Sequence, residues 1–216
     1  IGAEIELLSL LIESLKSIDI DKRYKTTLLI GNTYLMKLIL TSFDPEYLHQ
    51  IKDILSNLDL IQLSKMPIKE EHKLFIKKLM YTRGDPESVL SNLKEIYGPN
   101  EYIENLEELF KIIKPLANDK QIEIQLDPTL QTKYNLYSGL TFELISYLDN
   151  TPIVIAKGGR YDDLVEKFSN NKSNSFGVGF SFSIDKVREL VSTSIQITEH
   201  KRKVLIAYRN SNHINK

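Results

Sequence analysis

Cysteine and tryptophan are absent from this 216-residue chain, and arginine is confined to Arg23, Arg83, Arg160, Arg188, Arg202 and Arg209. Without cysteine there is no disulfide, no thiolate nucleophile and no Cys-ligated zinc, a usage compatible with a cytoplasmic protein. Neither sign of charge is in excess: 28 Lys+Arg face 29 Asp+Glu, for a net charge of −1. That balance offers no electrostatic footprint for nucleic acid or for an anionic membrane. The apolar runs fall far short of the ~20 residues of a membrane-spanning helix, and no secretory signal is visible. His49, His72, His200 and His213 are scattered, in none of the spacings of a metal site, so no metal or cofactor is expected. What is present is an ordinary globular composition, 42% hydrophobic and 26% charged, enough to bury a core as one domain or as one domain and part of another. The chain opens on Ile1 rather than Met and ends on a polar run from Asn210 to Lys216, which reads as a piece of a longer protein.

Local patterns divide the chain. From Glu4 to Ser17 apolar residues recur at helical spacing without Gly or Pro, which predicts an amphipathic helix. Thr26 to Ile30 is rich in Leu and β-branched residues and stops at Gly31-Asn32, a strand leading into a helix over Tyr34 to Leu40. Residues 45–117 look helical throughout. Asp44-Pro45-Glu46 and Asp85-Pro86-Glu87 each set a capping side chain before a proline suited to the first helical position. The second of these helices should end at Gly98, and another from about Glu101 should end near Pro115. After Asp119 strand patterns return, at Gln121 to Gln125, Gly139 to Tyr147, Pro152 to Ala156 and Phe176 to Ile184, with a short hairpin link at Asp149-Asn150. The order of elements predicts an α+β fold with an antiparallel sheet rather than a doubly wound one.

Three segments carry candidate chemistry. Gly158-Gly159-Arg160-Tyr161-Asp162-Asp163-Leu164 joins a strand to a short helix. Its glycine pair permits close backbone approach to a ligand, and Arg160 and Tyr161 bring a donor fork and a phenol; a tight turn capped by an aspartate fits the same pattern. Tyr134 to Glu143 is a polar, aromatic entry to a strand, either a ligand-facing edge or a core strand with part-exposed tyrosines. Gly177 to Asp185 alternates small and large residues, as a platform for a planar group or a close-packed sheet would. None of them is a Walker loop or a dinucleotide fingerprint.

In this order, G-G-R-Y-D-x-L preceded by Y-[ST]-G-x-x-F-E and followed by G-[FV]-x-x-x-[IL]-[DE], the segments resemble the histidyl-tRNA synthetase catalytic domain and its paralogue family, the ATP phosphoribosyltransferase regulatory subunits. The resemblance runs over roughly residues 1 to 190, taking in the helix at Ile1 to Ile18, the Leu28-Leu29-Ile30-Gly31 strand and Arg83-Gly84-Asp85-Pro86. It implies the class II synthetase fold, an antiparallel sheet flanked by helices, with a helical insertion over about 45–117 and a linker or C-terminal segment from 191 to 216. Aligned through Ile1-Gly2-Ala3-Glu4, Glu4 becomes a first-turn helix residue. The chain then starts after motif 2, leaving the dimer-forming motif 1 outside it.

The resemblance also separates the two paralogues. The synthetase pattern R-G-L-D-Y-Y-T-G carries an arginine for the histidine carboxylate and the activated phosphate; Thr132 stands at that position. The closing G-L-[ED]-R becomes Ser183 and Lys186, and a lysine cannot reproduce a stacked, bidentate guanidinium. Gln131-Thr132 ahead of the tyrosine segment looks like the cyanobacterial regulatory subunits. What this implies is a non-catalytic subunit of a hetero-oligomer in the first step of histidine biosynthesis, in the cytoplasm. Its partner is a short-form catalytic subunit, self-association would use the regions missing here, and histidine is the feedback effector. The residues implied for the histidine pocket are Tyr137, Gly139, Gly158, Gly159, Arg160 and Tyr161. A divergent histidyl-tRNA synthetase fragment is the alternative.

Overall fold

The computed structural model describes residues 1–15, 18, 20, 24–130, 136–148, 151–168 and 176–191. Helix α1 (Gly2–Ser14) precedes strand β1 (Lys25–Asn32) and α2 (Thr33–Leu40). A 3-10 turn at Pro45–Tyr47 then runs into α3 (Leu48–Asn57), α4 (Leu60–Lys65), α5 (Glu70–Tyr81), α6 (Pro86–Tyr97) and α7 (Glu101–Asn118). Strands β2 (Ile122–Leu126), β3 (Leu140–Leu148) and β4 (Thr151–Arg160) follow, then α8 (Asp162–Phe168), β5 (Val178–Phe182) and α9 (Ile184–Leu190).

The five strands form one sheet in the order β2-β1-β3-β4-β5. The sheet is mixed rather than purely antiparallel: β1 pairs with β2 in parallel, and every other pair is antiparallel. The reason is the connection. The helical run from α2 to α7 returns the chain to the same end of the sheet, so the next strand starts in the direction of β1. The Asp149-Asn150 link lies outside the described residues, while the strands on either side of it pair antiparallel, Tyr147 opposite Pro152.

Alternation along the strands gives the sheet two unlike faces. Leu28 and Ile30 of β1, Phe142 and Leu144 of β3 and Ile124 and Leu126 of β2 are buried in one core with Leu8 and Leu11 of α1, Leu90 and Leu93 of α6 and Leu106, Phe110 and Ile113 of α7. The other, more open face carries exposed Glu123, Lys157 and Ser181, with Leu164 of the short α8 beside the β5 edge. A second apolar cluster lies within the helical segment, where Met36 and Ile39 of α2 meet Ile54 and Leu55 of α3, Leu63 of α4 and Ile76 and Leu79 of α5. Helix α2 therefore links the two cores, giving Leu35 to one and Met36 to the other.

Helix boundaries follow the capping chemistry where the side chain reaches. Asp85 accepts from the Ser88 amide at 3.1 Å and opens α6, and Gly98 closes it at φ 75°. Asn32, Asp59 and Asn100 cap α2, α4 and α7 in the same way. Asp44 makes no such bond, and Pro45 opens only the 3-10 turn ahead of α3. Helix α7 does not stop at Pro115; it continues to Asn118. A proline in the last turn removes one backbone bond, and burial of Ile113 and Ala117 holds that turn against the core.

Candidate functional site

The Gly158-Gly159-Arg160 segment is not a turn. It is the last part of β4, which extends past Ala156 and is paired on both sides: Gly158 opposite Phe142 and Phe180, Gly159 opposite Thr141 and Gly179. The glycines are required by protein packing. A Cβ at Gly158 would lie 2.5 Å from the Phe180 Cβ and 2.6 Å from the Phe142 ring, on the helix-covered face. A Cβ at Gly159 would collide with the Leu140 carbonyl and come within 2.7 Å of the Tyr137 ring, on the open face.

Two tyrosine rings fill the places of missing side chains on that open face. Gly159 and Gly179 are register partners on adjacent strands. The Tyr137 ring lies over the first, and the Tyr161 hydroxyl stands 2.9 Å from where a Cβ of the second would be. The Tyr161 hydroxyl donates to the Val178 carbonyl at 3.1 Å, and its amide donates to the Gly177 carbonyl at 2.8 Å. Burial, with smaller contributions from Glu143 and Tyr161, raises the pKa of the Tyr137 phenol above its ordinary value. Leu136, Tyr137, Lys157, Tyr161, Leu164 and Ser181 line an open cleft of about 320 Å³ here.

Arg160 is one residue along the strand from Gly159 and turns to the other face. Its Nε donates to Asp162 Oδ2 at 2.6 Å, its Nη1 is 3.9 Å from Glu4 Oε1, and the guanidinium lies 5.3 Å from the Phe176 ring centre. Asp162 also accepts from the Gly177 amide at 3.0 Å, so a single carboxylate joins the end of β4 to the start of β5. The Ser138 amide donates to the Arg160 carbonyl at 2.8 Å. Gly139 leaves room for the Arg160 stem, and Glu4 sits in the first turn of α1. Arg160 thus lines a separate cleft of about 390 Å³ with Tyr34, stacked at 4.7 Å on Tyr102.

Of the six residues expected at one pocket, the structure therefore brings Tyr137, Gly159 and Tyr161 together on the open face. Gly158 packs behind them, and Gly139 and Arg160 belong to the covered side. Thr132 lies outside the described residues; Lys186 is exposed on α9 and lines neither cleft. Sequence reasoning missed Lys157 and Glu143, register partners whose ammonium and carboxylate meet at 2.5 Å beside Tyr137. Their pairing is visible only once the β3–β4 register is known. It also missed a clasp at the Arg83-Gly84 step. Gly84 bridges to Leu126, and Arg83 pairs at 3.3 Å with Asp127, whose other oxygen accepts from the Thr129 amide. No cluster of three metal-ligating side chains occurs among the described residues. His49 is exposed beside Asp53 and His72 packs edge-on to Phe43; His200 and His213 lie outside the described residues. No helix among the described residues is long and apolar enough to cross a membrane.

A family model described as histidyl-tRNA synthetase matches residues 1–187. The chain belongs to that family. It is 64% identical over 211 residues to the ATP phosphoribosyltransferase regulatory subunit of Prochlorococcus marinus (strain NATL2A), over 98% of this chain and 54% of that protein. The chain spans about half the length of the curated relatives it matches. Among solved structures, an ATP phosphoribosyltransferase regulatory subunit/histidyl-tRNA synthetase from Bacillus halodurans C aligns with a TM-score of 0.71 at 18% identity, over 88% of this chain and 50% of that one. An ATP phosphoribosyl transferase complex from Thermotoga maritima aligns with a TM-score of 0.59 at 21% identity, over 83% of this chain and 60% of that one. At these identities the likeness is one of fold, the α+β class II synthetase architecture. In this member of the histidyl-tRNA synthetase family, the Y-S-G and G-G-R-Y-D segments meet across β4, with the tyrosines on one face and the arginine on the other.

Proposed function

We propose that the full-length protein is the non-catalytic regulatory subunit of ATP phosphoribosyltransferase, acting in the cytoplasm in the first step of histidine biosynthesis. It supports a short-form catalytic subunit and takes part in feedback inhibition by histidine, which binds the open-face cleft between Tyr137 and Tyr161. The observation that carries the reading is 64% identity over 98% of the chain to a regulatory subunit of that name. The cleft agrees with it. Among the described residues Lys157 is the cation that lines it, Arg160 is hydrogen-bonded to Asp162 on the other face, and Lys186 is exposed elsewhere. Adenylate-forming chemistry draws much of its rate from positioned cations, and one missing preorganised donor lowers a rate by ~10²–10³. On this reading residues 1–190 belong to the synthetase-like core and 191–216 lead out of it, while self-association uses segments beyond this chain.

Feedback requires histidine to bind two states of the assembly with different affinity, and a coupling of ~1–3 kcal/mol is typical. The test is to mix the full-length protein with a short-form catalytic subunit and follow phosphoribosyl-ATP formation with and without histidine. Stimulation by the protein and inhibition by histidine are expected; no stimulation overturns the assignment. The match to a histidyl-tRNA synthetase family model supports a second reading, a divergent synthetase. Histidine-dependent ATP–pyrophosphate exchange by the full-length protein would select it.

A further inference from the structure

An amino acid held as a free ligand differs from the same side chain in a peptide by two charges on one carbon, and a site that recognises it must answer both. The open face presents such a pair. Lys157 and Glu143 are direct partners across β3 and β4, with Nζ to Oε1 at 2.5 Å. Lys157 is two residues before Gly159 and pairs with Ser181, which is two residues after Gly179. At ~3.4 Å of rise per residue the backbone of Lys157 stands about 7 Å along the strand from Gly159, over which the Tyr137 ring lies. That separation suits a ligand whose ring lies between the tyrosines and whose α-carbon reaches the charges.

Among the described residues the charges of the covered face do not compete for the role. Arg160 is hydrogen-bonded through Nε to Asp162 and faces Glu4 at 3.9 Å on the helix-covered face. Among the described residues Lys157 is the cation lining the tyrosine cleft, and its side chain is 57% exposed. Glu143 is only 20% exposed, so the pair sets an exposed cation against a largely buried anion. The ammonium end of the pair is exposed, so Lys157 can exchange its partner for a ligand carboxylate while Glu143 meets a ligand ammonium in its place.

We propose that the Glu143–Lys157 pair reads the zwitterion of the bound amino acid, Lys157 Nζ taking the α-carboxylate and Glu143 the α-ammonium. Histidine then inserts its two charges between theirs and forms a four-charge array on the open face. This role rests on the reading of the tyrosine cleft as the histidine site, and it makes Lys157 and Glu143 its specificity-determining residues.

The experiment is calorimetric titration of the full-length protein with histidine, with histidinol, which lacks the carboxylate, and with imidazolepropionic acid, which lacks the ammonium. Lys157→Gln is expected to weaken histidine about tenfold or more and to leave histidinol within about twofold. Glu143→Gln is expected to weaken histidine and histidinol and to leave imidazolepropionic acid unchanged. Thermal melts of both variants, read beside the titrations, separate a binding loss from a folding loss, because a folding loss falls on all three ligands alike. Equal losses for all three ligands, or no loss of histidine affinity in either variant, overturn the role of the pair and leave the cleft reading standing. A wild-type protein that binds no histidine overturns both.

Discussion

The two faces of the sheet use the same short segment in opposite ways. On the covered face Arg160 is held by Asp162 at 2.6 Å and faces Glu4 at 3.9 Å, beneath α1 and beside the stacked Tyr34 and Tyr102. On the open face Tyr161, the very next residue, lies against Gly177 and Gly179 and lines a cleft with Tyr137 and Lys157. One face spends its charges on itself and fixes the ends of β4, β5 and α1. The other keeps a phenol and the Lys157 ammonium within reach of solvent. The difference teaches that a strongly charged side chain in a motif is no guide to the ligand; the strand's alternation decides which face it serves.

If that contrast is right, the largest effects on folding come from the covered face. Phe142→Ala removes a fully buried ring against Gly158 and is expected to destabilise the protein by ~3–5 kcal/mol in urea unfolding. Arg160→Met leaves Asp162, a largely buried carboxylate, without its hydrogen-bonded cation. A loss of ~1–3 kcal/mol of stability is expected, with a smaller change in histidine affinity than any open-face variant shows. A large loss of affinity at unchanged stability would break the comparison, because it would put the guanidinium on the ligand.

The open face should behave in reverse. Tyr137→Phe is expected to weaken histidine binding by ~1–3 kcal/mol, measured by calorimetry, if the phenol is the ligand's hydrogen-bond partner, and to leave the melting temperature nearly unchanged. The smallest effect is electrostatic. The Tyr137 pKa is raised above its ordinary 10.0, first by burial and then by Glu143 and Tyr161. A raised phenol leaves stability intact below the unfolded-state pKa and withdraws it as pH climbs through the folded-state value. Alkaline titration followed by tyrosinate absorbance should therefore show one late-titrating phenol fewer in Tyr137→Phe. Stability of that variant should fall less steeply above pH 10 than that of the wild type.

Much of this was legible in the chain itself. The helices were, because Asp85-Pro86 and the terminal Gly98 act through neighbours in sequence, and so was the α+β class. The parallel pairing of β1 with β2 was not, since nothing in either strand records its neighbour's direction; that comes from the path of the intervening helices. Gly158-Gly159 suggested a turn because adjacent glycines commonly mark one. Here their missing side chains make room for Phe142, Phe180 and Tyr137, all contributed by other segments. The split between Arg160 and Tyr161 follows from alternation alone, once β4 is allowed to run through the motif. Lys157 and Glu143 needed the register, fourteen residues apart in sequence but opposite each other in space.

The most direct measurement is a structure of the full-length protein with histidine bound. The ligand is expected on the open face, its ring between Tyr137 and Tyr161 and its α-carboxylate at Lys157, with the Arg160–Asp162 bond intact behind it. Histidine in the cleft beside Tyr34 and Tyr102, or paired through its carboxylate with Arg160, would contradict it.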